Sequence, residues 1–132
     1  MRVVARMRAA SLEELLVYQK ALAAALDVSA VLKRVCFQRD LRLRDQLSDS
    51  SDACPSLIAE GFAQSTDRYF AEFCYRSKGE AKETRTHLRI ARGRDYIADD
   101  ELASLCGKYD EVERMLTGLI HYLLRSNWKH RG

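Results

Sequence analysis

Apolar and small residues recur at helical spacing along most of the chain. Between Leu43 and Gly61 they fall at 43, 47, 50, 54, 57 and 61, the three-four alternation of one helix face. This pattern runs straight through Pro55, the one proline of the sequence. A proline inside a helix removes a backbone donor and clashes with the carbonyl four residues back. A kinked helix from about Arg39 to Ala63 is therefore expected.

Three further stripes flank it. The first helix is expected from about Ser11 to Cys36, with Ser11 as cap and Glu14 at the capping-box spacing; its stripe is Leu12, Leu15, Leu16, Leu22, Leu26, Ser29 and Leu32. Thr66 is a good N-cap for a third helix, which runs to about Arg92 with Gly93 as its stop. That helix places Phe70, Cys74, Ser77, Ala81, Thr84, Leu88 and Ala91 on one seam. A fourth helix, from about Asp99 to Arg125, opens on Asp99, Asp100 and Glu101, which suits the positive end of a helix dipole. Its seam is Leu102, Leu105, Tyr109, Val112, Leu116, Leu119 and Leu123. Sustained spacing of this kind means long helices packed nearly parallel or antiparallel. With short connections, the expected fold is all-α: an antiparallel up-down-up-down four-helix bundle with a proline-kinked second helix. Residues 1–10 then form a basic N-terminal arm, 11–125 the bundle and 126–132 a basic C-terminal tail. Small residues on the third seam face large leucines on the fourth, which lets the two interdigitate. Val17, Tyr18, Val28, Phe73, Ile90, Met115, Ile120 and Tyr122 lie off the main stripes, more apolar surface than one small bundle needs. Self-association or a wider core stripe would account for them.

Composition narrows the class. At 132 residues the chain is one domain, and one proline with six glycines leaves little room for turns. No apolar run reaches the roughly 18 residues of a membrane span, and the apolar stretch at the N-terminus is too short for a signal peptide. A cytoplasmic location with no membrane partner is expected. Four cysteines, Cys36, Cys54, Cys74 and Cys106, are too far apart for a zinc ribbon or redox pair. They read as reduced core residues.

Charge adds a candidate site. One position after each seam residue of the third helix stand Lys78, Lys82, Arg85, Arg89 and Arg92, and Glu80 and Glu83 stand on the opposite flank. The basic row extends over roughly 20 Å of helix. It is a candidate nucleic-acid face, since such a row can follow a phosphate backbone. Alternatively it pairs with acids of the same or a neighbouring subunit, Asp110, Glu111 and Glu113 being available on the fourth helix, or is merely solvated. The overall charge of +3 is too small to decide. At the chain ends, Arg2, Arg6 and Arg8 would meet Arg125, Lys129, His130 and Arg131 around Trp128, as single-strand binding or as ordinary tails.

The same helices carry no catalytic or metal signature. A di-iron bundle needs two Glu-x-x-His motifs, and no histidine has a glutamate three residues before it; His87 has only Glu83, four before. The sequence has no Gly-rich phosphate loop and no His-Glu-x-x-His, and no cysteine has a histidine at helical spacing. Glu60, the one acid in an apolar stretch, reads as a partly exposed structural residue or ion-pair partner more than as a functional carboxylate. No catalytic residue, metal site or cofactor is expected, and the chain reads as a non-enzyme.

The string Pro55-Ser56-Leu57-Ile58-Ala59-Glu60-Gly61-Phe62, followed by Thr66, Phe70, Phe73, Gly79, Glu83, Thr86 and Leu88, resembles the four-helix-bundle proteins encoded by intervening sequences in bacterial 23S ribosomal RNA genes. Val17-Tyr18-Gln19-Lys20-Ala21-Leu22 and Met115-Leu116-Thr117-Gly118-Leu119-Ile120 resemble that family's first and last helices. The resemblance implies an antiparallel bundle that assembles as a homopentameric ring. It also implies kinship with accessory proteins of diversity-generating retroelements, which bind a reverse transcriptase and nucleic acid. No enzyme activity is implied. The family often carries arginines where this chain has Ser48-Asp49-Ser50-Ser51-Asp52, and bases where it has Gln64 and Ser65. The expected function is a ring-forming module that binds protein and nucleic acid, RNA or DNA. A purely protein–protein scaffold, with the basic row used in subunit pairing, is one alternative, and a cryptic small-molecule or metal binder another.

Overall fold

The computed structural model describes the backbone of residues 11–131 and the side chains of residues 11–125. These residues form five α-helices and no strand: α1 Leu16–Val31, α2 Val35–Gln38, α3 Leu41–Phe62, α4 Asp67–Gly93 and α5 Asp99–Arg131. A 3-10 turn, Leu12–Glu14, precedes α1. Helix α1 packs on α3 and α5, and α4 packs on the same two. The result is a helical bundle with one hydrophobic core. Among the described residues no helix is long and apolar enough to cross a membrane.

The three-four patterns of α3 and α4 are the ones the core uses. Leu43, Leu47, Ser50, Cys54, Leu57 and Gly61 are buried on α3, and all seven expected seam residues are buried on α4. Helix α3 is continuous through Pro55, whose ring is itself buried. The hydroxyls around it bond to nearby carbonyls: Ser51 Oγ donates to Ser48 O at 3.2 Å and Ser56 Oγ to Asp52 O at 2.9 Å. Helix α5 departs slightly from expectation. Ile120 is buried and Leu119 only partly so, because a straight helix drifts from a 3.5-residue repeat.

Helix α1 departs more. Its buried face is Val17, Ala21, Ala24, Ala25 and Val28, whereas Leu16, Leu22 and Leu26 of the expected stripe are 54%, 39% and 61% exposed; Ser29 is exposed too. Small side chains let α1 lie close to its neighbours, and the leucines are left outside. Val17, Val28 and Ile120, expected as surplus, belong to the core, with Tyr18, Met115 and Tyr122 packed against it.

The ends are set by caps and by long-range pairs. Asp40 caps α3 and Thr66 caps α4, each accepting from the backbone three residues on; Ser11 makes no side-chain cap bond. The expected single first helix breaks after Val31, and α2 turns the chain into α3. Gly93 ends α4 but is not the residue in the left-handed conformation; Asp95 is, at φ 63°, a position that aspartate tolerates better than most. At this end of the bundle Arg34 grips Glu101 with both guanidinium arms and also donates to Tyr96 O at 3.1 Å. Tyr96 stacks edge-on against Phe37 and donates its hydroxyl to Asp40 at 2.9 Å, beside Arg94 at 2.7 Å. Glu101 further accepts from the Ala98 amide at 2.9 Å.

These bonds to Arg34 and Ala98 lower the Glu101 carboxyl to about 2 from an ordinary 4.5. A group so depressed stabilises the fold fully above its unfolded value, and the contribution is lost as pH falls through the folded value. The melting temperature should therefore fall between about pH 4.5 and pH 2 less steeply for Glu101→Gln than for the unaltered chain. Parallel curves in a thermal melt series would remove Glu101 from this role.

Candidate interaction site: the basic row of α4

The α4 seam buries Ala81, Thr84 and Leu88, so the next residue in each case emerges at the junction with α5. There the row meets acids. Glu113, on the core-facing side of α5, is only 5% exposed. Lys82 Nζ lies 2.9 Å from its Oε1, and Arg85 Nη2 donates to the same oxygen at 3.1 Å. Arg85 Nε lies 2.7 Å from Oε2, although neither atom has an aligned hydrogen-bond partner. That contact is an ion pair rather than a directed bond. Asp110 stands 4.0 Å from Arg85 and 3.1 Å from Arg114. Arg92 pairs with Asp95 and Asp99 across the α4–α5 turn. Lys78 is half-buried and Arg89 exposed, and neither has an ion pair among the described residues.

Three of the five bases are thus paired within the chain, two of them sharing one nearly buried carboxylate, whose single charge offsets one of theirs. The helical spacing of the sequence brought the row together; Asp95 and Asp99 as partners of Arg92 carried no sequence signal. Glu111, expected beside the row, instead pairs with Lys20 of α1 at 3.5 Å. On the other flank burial and the neighbouring Glu83 charge raise the Glu80 carboxyl. The cluster expected from the chain ends lies outside the described residues, Arg125 excepted.

The residues that carry the family resemblance divide into two sets. Pro55, Ile58 and Gly61 are buried, Ala59 and Phe62 partly so, and Ser56 and Glu60 exposed. Gly61 sits where α3 meets α4: a Cβ there would stand 2.8 Å from Phe73 Cβ and 2.9 Å from Phe70 Cδ1. Phe62 packs edge-on against Phe70 at 6.0 Å. Further along the same contact, Ser77 Oγ donates to Cys54 O at 2.8 Å, and the Thr84 and Ser50 hydroxyls lie 2.8 Å apart. Burial pushes the Cys54 thiol up to about 11, which makes it an inert packing group. Gly79, Glu83 and Thr86 point outward instead. A Cβ on Gly79 would meet nothing within 4 Å, and Thr86 Oγ1 only closes back on Lys82 O at 3.1 Å. Among the described residues no group of three or more His, Cys, Asp or Glu is placed to hold a metal ion.

Residues 13–118 match the family model of the 23S rRNA-intervening sequence protein. Curated proteins give no match. A crystallised protein of unknown function from the S23 ribosomal protein family of Bacteroides thetaiotaomicron has a similar fold, with a TM-score of 0.74 and 22% identity, covering 79% of this chain and 97% of that one. The chain belongs to the family of 23S rRNA-intervening sequence proteins.

Proposed function

We propose that the protein is a non-enzymatic helical-bundle module that assembles with copies of itself into a ring and serves to bind other macromolecules. In this reading α1, α3, α4 and α5 run up, down, up and down, with α3 bent at Pro55. The short connections and the packing of each long helix on the next support that order. The ring of five comes from the family resemblance. A cytoplasmic setting belongs to the same reading, since none of the four cysteines is in a disulfide among the described residues.

The observation that carries assembly is Gly79. An exposed glycine inside a helix costs about 1 kcal/mol relative to alanine, and nothing among the described residues requires this one, as is also true of Gly107 and Gly118 on α5. A second molecule crossing α4 closely at that point would require it. Tyr75 and Ile90, 53% and 38% exposed, lie on the same outer face. Gly79→Arg is expected to leave the circular dichroism unchanged and to reduce the assembly to single chains in sedimentation velocity. A monomeric unaltered chain at about 50 µM would end the proposal, since useful self-assembly needs association free energies of about 6 kcal/mol or more there.

Nucleic acid is a second reading, favoured by the unpaired Lys78 and Arg89 on the basic flank. Binding to RNA or DNA that is insensitive to both salt and the double substitution Lys78→Ala/Arg89→Ala would exclude this face.

A further inference from the structure

The outer face of α1 is apolar and carries no charge. Helix α1 has only two charged residues, Lys20 and Asp27, and both are drawn sideways to α5, onto Glu111 and Lys108. Outward, beside the exposed Leu22 and Ser29, stand Leu16, Gln19, Ala23, Leu26 and Ala30, at the three-four spacing of a helix–helix seam. Leu16 and Leu26 are 54% and 61% exposed. A helix apolar on both faces is characteristic of one buried on both sides.

We propose that this strip pairs with the same strip of a second copy, antiparallel, about a two-fold axis at Ala23. Three observations select that occupant. The outward faces of the other long helices carry charge, Asp49 and Asp52 on α3, Glu72 and Arg76 on α4, and Glu111 and Arg114 on α5. Only α1 can therefore cover α1 without burying an unmatched ion. An antiparallel pairing centred on Ala23 also sets Leu16 against Ala30 of the partner subunit, large against small, at both ends. Finally, the strip is bounded by exposed residues of opposite charge, Glu13 in the 3-10 turn before α1 and Lys33 in the turn after it. An antiparallel pair brings the Glu13 end of each strip to the Lys33 end of the partner subunit's strip, whereas a parallel pair would set like ends together. A two-fold contact is self-complementary in this way by construction. It uses a different face from Gly79 and does not depend on the ring.

The strip is about 21 Å long and one helix wide, less than the roughly 800 Å² per partner of a standard interface. Pairing is accordingly concentration-dependent.

The test is cysteine crosslinking in the full chain. Under mild oxidation Ala23→Cys should give a reducible dimer well above the background of the unaltered chain. Ala30→Cys should not, because its two copies would lie about 21 Å apart. Leu26→Glu should leave the melting temperature in place and halve the sedimenting mass at about 300 µM, where even weak interfaces are populated. Lys33→Glu should weaken pairing, and adding Glu13→Lys should restore it. Failure of Ala23→Cys to crosslink, equal crosslinking by Ala30→Cys, or an unchanged mass for Leu26→Glu would each overturn the two-fold pairing. Because Ala23 and Gly79 stand on different helices, crosslinking and the Gly79→Arg result fail independently. A strip occupied by an unrelated protein would likewise show as no crosslink in the purified chain.

Discussion

Gly61→Ala is expected to destabilise the fold by about 2 kcal/mol, although it adds one methyl group. At this site α3 and α4 approach closely. The new Cβ would stand 2.8 Å from Phe73 Cβ, 2.9 Å from Phe70 Cδ1 and 3.3 Å from Phe70 O. Phe73 Cβ and Phe70 O are fixed to the α4 backbone, so relief needs the helices to part. Parting them would loosen the buried Ser77–Cys54 and Thr84–Ser50 contacts along the same seam, where an unmade bond costs about 1–3 kcal/mol. The clash with Cδ1 is separable. In a Phe70→Leu background the penalty of Gly61→Ala should fall by about 0.5–1 kcal/mol, the coupling expected of touching residues, while the contact with Phe73 keeps the remainder. The same change at Gly79, where there is open space, should instead be neutral or raise single-chain stability by up to about 1 kcal/mol. Urea denaturation of the three variants at low concentration decides it. Equal stability of Gly61→Ala and the unaltered chain would mean that the helices are not held this closely.

The legible parts of this fold are those with one amphipathic face. On α4 the seam from Phe70 to Ala91 can be read position by position because most residues opposite it are polar, Tyr69, Tyr75 and Ile90 apart. On α1 that logic failed. Leu16, Leu22 and Leu26 are larger than Ala21, Ala24 and Val28, and size alone puts them inward; of the expected stripe Leu15 and Leu32 are buried and Leu12 packs against the core, while these three stay outside. Burial there follows how closely α1 can approach α3 and α5, and alanine permits more than leucine. The break after Val31 had no glycine or proline to mark it. It is held by Arg34 on Glu101 and Asp40 on Arg94, partners more than fifty residues apart in sequence. No local window contains such pairs.

For the candidate site the division is similar. Spacing alone placed Lys78, Lys82, Arg85, Arg89 and Arg92 on one flank. Whether their charge remains available depends on distances across the helix junction. Glu113 could be named as an acid of the neighbouring helix; that it is nearly buried and shared by two bases, and that Glu111 turns to Lys20, depends on the packing.

Glu113→Gln therefore separates the uses of the row. The amide keeps the shape and part of the hydrogen bonding but removes the charge that holds Lys82 and Arg85. Lys82 is 59% exposed and Arg85 20%, so both can turn to water, and much of the lost Coulomb attraction is already screened. The stability cost should be about 1 kcal/mol rather than the 3–5 of a fully buried broken pair. If the row follows a phosphate backbone, two freed cations should strengthen binding at low salt. They should also steepen the salt dependence by up to about 1.4 for a single strand, roughly a further sevenfold loss of affinity between 50 and 200 mM salt. Lys82→Ala/Arg85→Ala in the unaltered background should weaken binding less than those bases could contribute when freed, since Glu113 already offsets one of their two charges and holds both side chains. If the row pairs with a neighbouring subunit, Glu113→Gln should shift the sedimenting mass and leave nucleic-acid binding where it was. A folded variant with neither change would show that Glu113 serves only to tie α5 to α4, leaving Lys78 and Arg89 as the only bases of the row open to a partner.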